Sequence, residues 1–345
     1  MDDRWEQVVG AFHIHTRYSD GRADMEEVLA AARRAGLGFV LISDHDCLAA
    51  RREGWEGSHD GLDVLVATEI TPHKRGHVLA MDVADCAGYC ASLSDHTLDA
   101  VAKQGGYALV AHPQGKHKPW LRIHHRPWYH WEHPAIRGME IWSYTHDWVD
   151  AVAWWRFPRA HEVHRFPERW VQGPDETVLR MWDRLAQERR VAGLGGLDCH
   201  AIHVPIANVT IFPYERMFRM LRNHLFIPAG LRGPARIRAL WQALGEGRCW
   251  VAHDILQETT GARCEARTPG GDTLPPGTEM PFEKGIEMTL DLPCEAEAAW
   301  IANGVPRLRE RTRTLTAAPI GPGVYRFEAR LEGRPWVFSN PFYLR

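Results

Sequence analysis

Two histidines stand one residue apart near the start of the chain, His13 and His15 in GAFHIHTRYSDGR, and Asp20 follows in the same stretch. Imidazole and carboxylate groups are the donors that Zn, Mn and Fe(II) accept, and imidazole is the side chain that titrates near neutral pH. The same residue types return further on. ISDHD carries His45, ATEIT carries Glu69, HVLAMDV opens on His77, LVAHP carries His112, and GLDCH carries Asp198 and His200. Residues i and i+2 of an extended strand face one side, so His13 is expected to point with His15, and Asp198 with His200. A lone histidine is most often a core or surface residue. This many ligand-type side chains buried together without a cation would carry heavy desolvation and charge costs. The set therefore predicts a metal site.

The elements that must position these residues follow from periodicity. Strands are predicted at VVGAFHIH, LGFVLISDH, LDVLVATEIT, GYALVAHP, GMEIWS, VAGLGGLDCH and NVTIFP, with VLAMDV (78–83) as a hairpin strand. Helices are predicted over 23–36, 92–106, 175–190 and 234–247, where apolar residues recur at helical spacing. Strands alternating with helices imply βαβ units and a mainly parallel sheet, whose carboxyl ends share one face. Periodicity does not distinguish a closed barrel from an open sheet. After residue 256 a Pro/Gly cluster, TPGGDTLPPGTEMPF, leads into alternating segments that read as an all-β tail, a small sandwich over 257–345. The stretch of about 113–174 is rich in His, Trp, Arg and Pro and is expected to be a folded insertion beside the site, a lid.

The bulk properties exclude several classes. The chain has 345 residues, 45% hydrophobic and 25% charged, with a net charge of −3, so no general affinity for nucleic acid or membranes follows. The opening MDDRWEQ lacks signal-peptide character and no apolar run reaches the ~18 residues of a membrane span; the expectation is a cytoplasmic protein. Seven scattered cysteines do not form a disulfide framework, and Cys86 and Cys90 of CAGYC lack a partner pair at zinc-finger spacing. The 20 histidines and 15 tryptophans are in excess, which suits a metal site and an aromatic-lined pocket or large core.

Taken together, FHIHTRYSDG, ISDHD, TEIT followed by HVLA, AHP and LDCH resemble, in order, the motifs of the PHP (polymerase and histidinol phosphatase) family over about residues 9–203. The resemblance implies a distorted (βα)7 TIM-like barrel in residues 1–256 and a trinuclear metal centre at the strand ends. By motif, His13, His15 and Asp198 would hold one metal, His77 and His112 a second with Glu69 bridging the pair, and Asp20, His45 and His200 the third. The implied cofactors are two to three divalent ions, Zn, Mn or Fe. His13, His15, Glu69 and Asp198 would be catalytic through a metal-bound hydroxide.

Clustered cations favour an anionic small molecule, so the leading expectation is a phosphoesterase, with nucleotides or oligonucleotides among the open substrates. Arg17, Arg22, Lys116, His117 and His203 lie near the motifs and are candidate phosphate contacts. Asp44 and Asp46 flank His45 and could orient a ligand. Glu140 and His146 stand near another strand end without an assigned role. The joining of such a barrel to a β-tail after GRCWVAHD also resembles the carbaryl-hydrolase-like branch, which implies carboxyl ester, amide or carbamate hydrolysis as the alternative. A non-enzymatic metal-binding or interaction module is the third reading. Oligomeric state is left open.

Overall fold

The computed structural model describes residues 3–72, 76–86, 95–113, 115, 127–152, 159–204 and 208–345. Its elements in chain order are β1 (Trp5–Ile14), α1 (Met25–Arg34), β2 (Phe39–Ile42), α2 (Ala49–Arg52), β3 (Gly57–His59), β4 (Leu62–Val66), β5 (Thr68–Ile70), β6 (Val78–Met81), α3 (Asp95–Lys103), β7 (Tyr107–Val110), β8 (Ile136–Ser143), α4 (Tyr144–Ala151), α5 (Ala160–Arg165), α6 (Glu176–Glu188), β9 (Ala192–Gly196), β10 (Ile202–Val204), β11 (Val209–Ile211), α7 (Tyr214–Met217), β12 (Leu221–Pro228), α8 (Gly233–Glu246) and β13 (Cys249–His253). The tail contributes β14 (Arg263–Arg267), β15 (Thr273–Leu274), β16 (Glu279–Met280), β17 (Glu287–Ala302), β18 (Val305–Ala317), β19 (Gly323–Leu331), β20 (Arg334–Ser339) and β21 (Phe342–Leu344). No helix among the described residues is long and apolar enough to cross a membrane.

The architecture is mixed α/β. β1, β2 and β4 pair in parallel, as do β7, β8 and β9. The hairpin strand expected at VLAMDV is β6, antiparallel to both β5 and β7. Two departures from a mainly parallel sheet stand out. β12 and β13 run antiparallel beside β1, and β11, from NVTIFP, pairs among the described residues with β10 alone, in a separate two-stranded sheet. β12 escaped the sequence reading because its segment LRNHLFIP carries three consecutive polar residues. Each is buried and satisfied: Arg222 Nη2 donates to Ala35 O at 2.7 Å, Asn223 bonds Gly195, and His224 Nε2 lies 2.9 Å from Asp254. The strands around the site form two separate sheets rather than one continuous closed ladder. At one edge Ile14 and Cys199 form an isolated bridge, and at the other His45 and Glu69 do.

α1 illustrates how sequence fixes an element. Asp24 caps it, its carboxylate accepting from Glu27 N while Glu27 reaches back to Asp24 N, the reciprocal arrangement that satisfies two end donors at once. Its buried Val28, Leu29 and Ala32 join Val40 and Ile42 of β2 and Val64 of β4. A second apolar cluster collects Phe12, Leu41, Leu65, Leu79, Leu109, Leu194 and Leu225 from seven strands and is covered by Leu240 and Leu244 of α8. The tail has its own core around Trp300, Phe327 and Trp336. The tail's β20 nevertheless pairs with β13, so one sheet runs from β1 into the tail.

β9 is held along one edge by side chains instead of a neighbouring strand. Asn223 Oδ1 accepts from Gly195 N at 2.9 Å and its Nδ2 donates to Gly195 O at 2.8 Å. Asn340 does the same at Gly193, at 2.7 and 2.8 Å. Just before β9, the Tyr343 hydroxyl accepts from Val191 N at 3.0 Å and lies 3.2 Å from Val191 O. Unpaired buried backbone groups are costly, and these residues supply the missing partners.

His253, at the end of β13, is buried against Trp142 and Tyr144, and its Nε2 has no partner among the described residues. Burial and the Arg334 charge push it down to about 3, against the weaker pull of Asp254. The unfolded chain takes up this proton near pH 6.5 and the folded chain does not, so the stability His253 contributes is present above that pH and lost as pH falls toward 3. Thermal denaturation from pH 7 to 4 is expected to show a Tm decline that is shallower in His253→Phe, the difference approaching ~1.4 kcal/mol per pH unit. Parallel curves for the two proteins would refute this.

Candidate metal centre

Glu69 on β5 is the hub. Its Oε2 lies 3.2 Å from His13 Nε2, 3.3 Å from His15 Nε2 and 3.2 Å from His45 Nδ1. Its Oε1 lies 2.9 Å from both His77 Nδ1 and His112 Nε2. Asp198 adds a second carboxylate, with Oδ1 3.3 Å from His15 Nε2 and 3.6 Å from His13 Nε2 and His200 Nδ1. Asp20, half-exposed, approaches His200 Nε2 at 3.1 Å and His45 Nε2 at 3.6 Å. The donor atoms fall into overlapping groups: His13, His15, Glu69 and Asp198; Glu69, His77 and His112; His15, Asp20, His45 and His200; and His112, His146 and Asp198, each with its atoms within 4.8 Å of one another.

The backbone that aims these side chains is not a regular strand. β1 is bulged between Ala11 and Ile14, and His13 (φ 66°), His112 (φ 28°) and Asp198 (φ 51°) all lie in the left-handed region. Such conformations are disfavoured for residues with a Cβ and persist only where surrounding structure imposes them. Here Cys199 N donates to His13 O at 3.2 Å and His15 N to Cys199 O at 3.0 Å. The alternation that predicted paired orientations is thus replaced, at these residues, by a bulge and a cross-strand contact.

The donor set fits divalent cations. Donors about 2.1 Å from a tetrahedral ion stand roughly 3.4 Å apart, and most separations around Glu69 Oε2 and Asp198 fall near that value rather than at the ~2.9 Å of a hydrogen bond. Both ring nitrogens of fully buried His15 lack a hydrogen-bond partner among the described residues; an ion would satisfy the one that carries the lone pair. Electrostatics point the same way. Burial opposes charge on His13, yet Glu140, Glu69 and Asp198 outweigh it and hold the imidazole well above its usual value. His200 is pushed up to about 9, burial again being overcome by Asp198 and Asp20. Burial opposes ionisation of Glu69 and Asp198 too, but the surrounding imidazoles keep both well below the usual carboxylate range. The carboxylates therefore demand positive charge. His112 goes the other way: burial and neighbouring His146 lower it to about 4, leaving a neutral imidazole ready to donate a lone pair.

A further layer holds these residues in place. Glu140 on β8 is buried, with Oε1 accepting from His13 Nδ1 at 2.5 Å and Oε2 accepting from His112 N at 2.7 Å. Its place beside the strand-end ligands was the sequence signal, in the same xEIx setting as Glu69. Thr71 Oγ1 sits 2.6 Å from His45 Nδ1. Asp44 touches no imidazole ligand through a hydrogen bond; it accepts from Thr16 N, Thr16 Oγ1 and Ser19 Oγ at 2.7, 2.8 and 2.6 Å and so fixes the loop that carries Asp20. Asp46 accepts from Thr71 N at 3.2 Å.

The phosphate-contact candidates are scattered. Arg17 is exposed and tied to the α1 cap Asp24. Arg22 and His203 line one open cavity of about 570 Å³ with Tyr214, whose hydroxyl donates to His15 O at 2.8 Å. Lys116 and His117 lie outside the described residues, as does Cys90. Cys86 is buried, with Sγ 3.6 Å from Asp46 O. On the other side of the cluster, His112, Glu140 and His146 border a cavity of about 380 Å³ that is also lined by Trp142, Asp147 and Asp150.

No family model matches the chain, and no curated protein matches it. Solved structures do resemble it. A two-domain protein from Bacteroides vulgatus containing a predicted PHP-like metal-dependent phosphoesterase is similar over 98% of this chain and 96% of its own, at 12% identity and a TM-score of 0.46. PsfC from Pseudomonas syringae is similar over 68% of this chain and 88% of its own, at 14% identity and a TM-score of 0.41. The lesion-specific endonuclease Q of Pyrococcus furiosus is similar over 70% of this chain and 56% of its own, at 12% identity and a TM-score of 0.41.

The Glu140 contact leaves no room beside it. A Cβ on Gly196 would stand 1.9 Å from Glu140 Oε1. Gly196→Ala is expected to displace Glu140, release the His13 ring, and weaken metal affinity by about 10–100-fold, measured by competition with a chromophoric chelator. Unchanged affinity would show that Glu140 does not hold His13 for metal binding.

Proposed function

We propose that the chain is a metal-dependent hydrolase whose substrate is a phosphoric ester. The observation that carries this is Glu69, a fully buried carboxylate faced by five imidazoles in two groups, one on each oxygen. On this reading His13, His15, Glu69 and Asp198 hold one ion, Glu69, His77 and His112 a second, and Asp20, His45 and His200 a third. The strands that carry them are read as a distorted TIM-like barrel over 1–256, with 257–345 a β-domain bonded to it. When bound, divalent ions lower the pKa of water and neutralise charge on a substrate oxygen.

The protein's own contribution is preorganisation. Glu140 fixes the His13 ring with Nε2 toward Glu69, Thr71 fixes His45 with Nε2 toward Asp20, and Asp44 fixes the Asp20 loop. No bond rotation is then needed at the moment of reaction. Arg22 and His203 line, with Arg34, one cavity on the His200 side, and Arg22 is read as the guanidinium that meets an outlying anionic group of the substrate.

One observation favours a second reading. The cavity beside His112 and His146 is lined by three aspartates and, at its base, by the largely buried Ile141 and Trp142, with no Lys or Arg among its described lining. That surface suits the apolar or neutral alcohol of a carbon ester or carbamate.

Nitrophenol release from matched aryl phosphate monoester, phosphate diester, acetate and methylcarbamate by metal-loaded protein decides between them. Turnover is expected on the phosphates and is expected to fall by at least about 100-fold in Glu69→Gln. Turnover confined to the acetate and carbamate would replace the leading reading with the second.

A further inference from the structure

Ligand-type residues come from the ends of β1, β2, β5, β7 and β9 and from the start of β6. β8 supplies none of the motif residues. Its chain continues directly into α4, and the third residue of that helix is His146. His146 Nε2 lies 3.5 Å from Asp198 Oδ2, the oxygen turned away from His13 and His15. Its ring stacks on His112, with centroids 4.3 Å apart and planes 20° apart. The 3.5 Å separation exceeds a normal N–H···O contact and matches two donors on one ion, roughly 3.4 Å apart.

The position is enforced from both sides. Thr145 Oγ1 donates to Leu197 O at 2.7 Å, which docks the first turn of α4 on the segment that carries Asp198. Asp147 accepts from Trp142 Nε1 at 3.0 Å and from Gln172 N and Gly173 N at 2.9 and 2.8 Å. These contacts fix the backbone on both sides of His146, and the ring itself is placed by Asp198 and His112. Unlike buried His13 and His15, it borders the 380 Å³ cavity.

We propose that His146, with His112 and Asp198, holds a divalent cation at the cavity-facing edge of the cluster, a position that exchanges more readily than those built on His13 and His15. This rests on the metal reading given above. Asp198 serves a deeper group through Oδ1 and this one through Oδ2, whereas a neutral His112 has a single lone pair and serves either this position or the Glu69 group at one time; His146 is the donor private to this position, and its loss removes this position selectively.

The test is metal content and affinity, not turnover. Wild type, His146→Ala, His146→Asn, His13→Ala and the remote control His59→Ala are loaded with Co(II), dialysed, and compared by elemental analysis, by stepwise chelator titration and by visible absorption. Wild type and His59→Ala should lose one weakly held equivalent first. Both His146 variants should bind that equivalent at least about 10-fold more weakly, lose its absorption contribution and keep the tighter equivalents, with circular dichroism and Tm unchanged. If the His146 variants match wild type while His13→Ala loses metal, this inference is overturned and the metal reading stands. If His13→Ala also keeps its full metal complement, the metal reading falls and this inference falls with it.

Discussion

A carboxylate removed from water and surrounded by imidazoles cannot be left electrically unbalanced, and Glu69 imposes that condition on the rest of the protein. It is fully buried, and two other carboxylates, Asp198 and Glu140, lie within the same layer. The fold answers by surrounding these oxygens with groups that are cationic or can bind a cation, and by spending irregular backbone to aim them. The left-handed conformations at His13, His112 and Asp198 are local costs that a regular sheet would avoid. Below this layer the interior is apolar and closed by α8, so the polar groups are confined to one end of the strands.

Much of this was legible in the sequence, because strand ends announce themselves. The short apolar runs before His13, Glu69, His112 and Asp198 mark the strands, and the strand order places their ends together without side-chain detail. What sequence did not convey is the means of aiming. Alternation predicted that His13 and His15 point one way as members of a regular strand; a bulge and the contact with Cys199 do that work instead. Glu140 was visible as a residue near the site but its partners were not, since its task depends on β8 and β9 lying close enough that Gly196 must lack a Cβ. β12 was hidden for the converse reason. Its Arg222, Asn223 and His224 look solvent-facing in sequence and are buried through partners remote in the chain, Ala35, Gly195 and Asp254.

The helices were read more securely than the sheet connections. α1, α6 and α8 begin and end within a few residues of their expected bounds, because caps and stops are local signals: Asp24 and Asp175 at the starts, Gly247 in the left-handed conformation at the end of α8. Strand pairing is not local. Nothing near VAGLGG indicates that its free edge will be served by asparagine side chains rather than by another strand.

Those asparagines have a consequence in time. Asn340 follows the glycine it bonds by 147 residues, and Tyr343 follows Val191 by 152. A ribosome emits Asp198 and His200 long before the residues that secure the strand leading to them. Until those later residues have emerged, the nascent chain offers the histidines of a binding site without the support that spaces them. The spacing of these side chains is thereby coupled to completion of the tail.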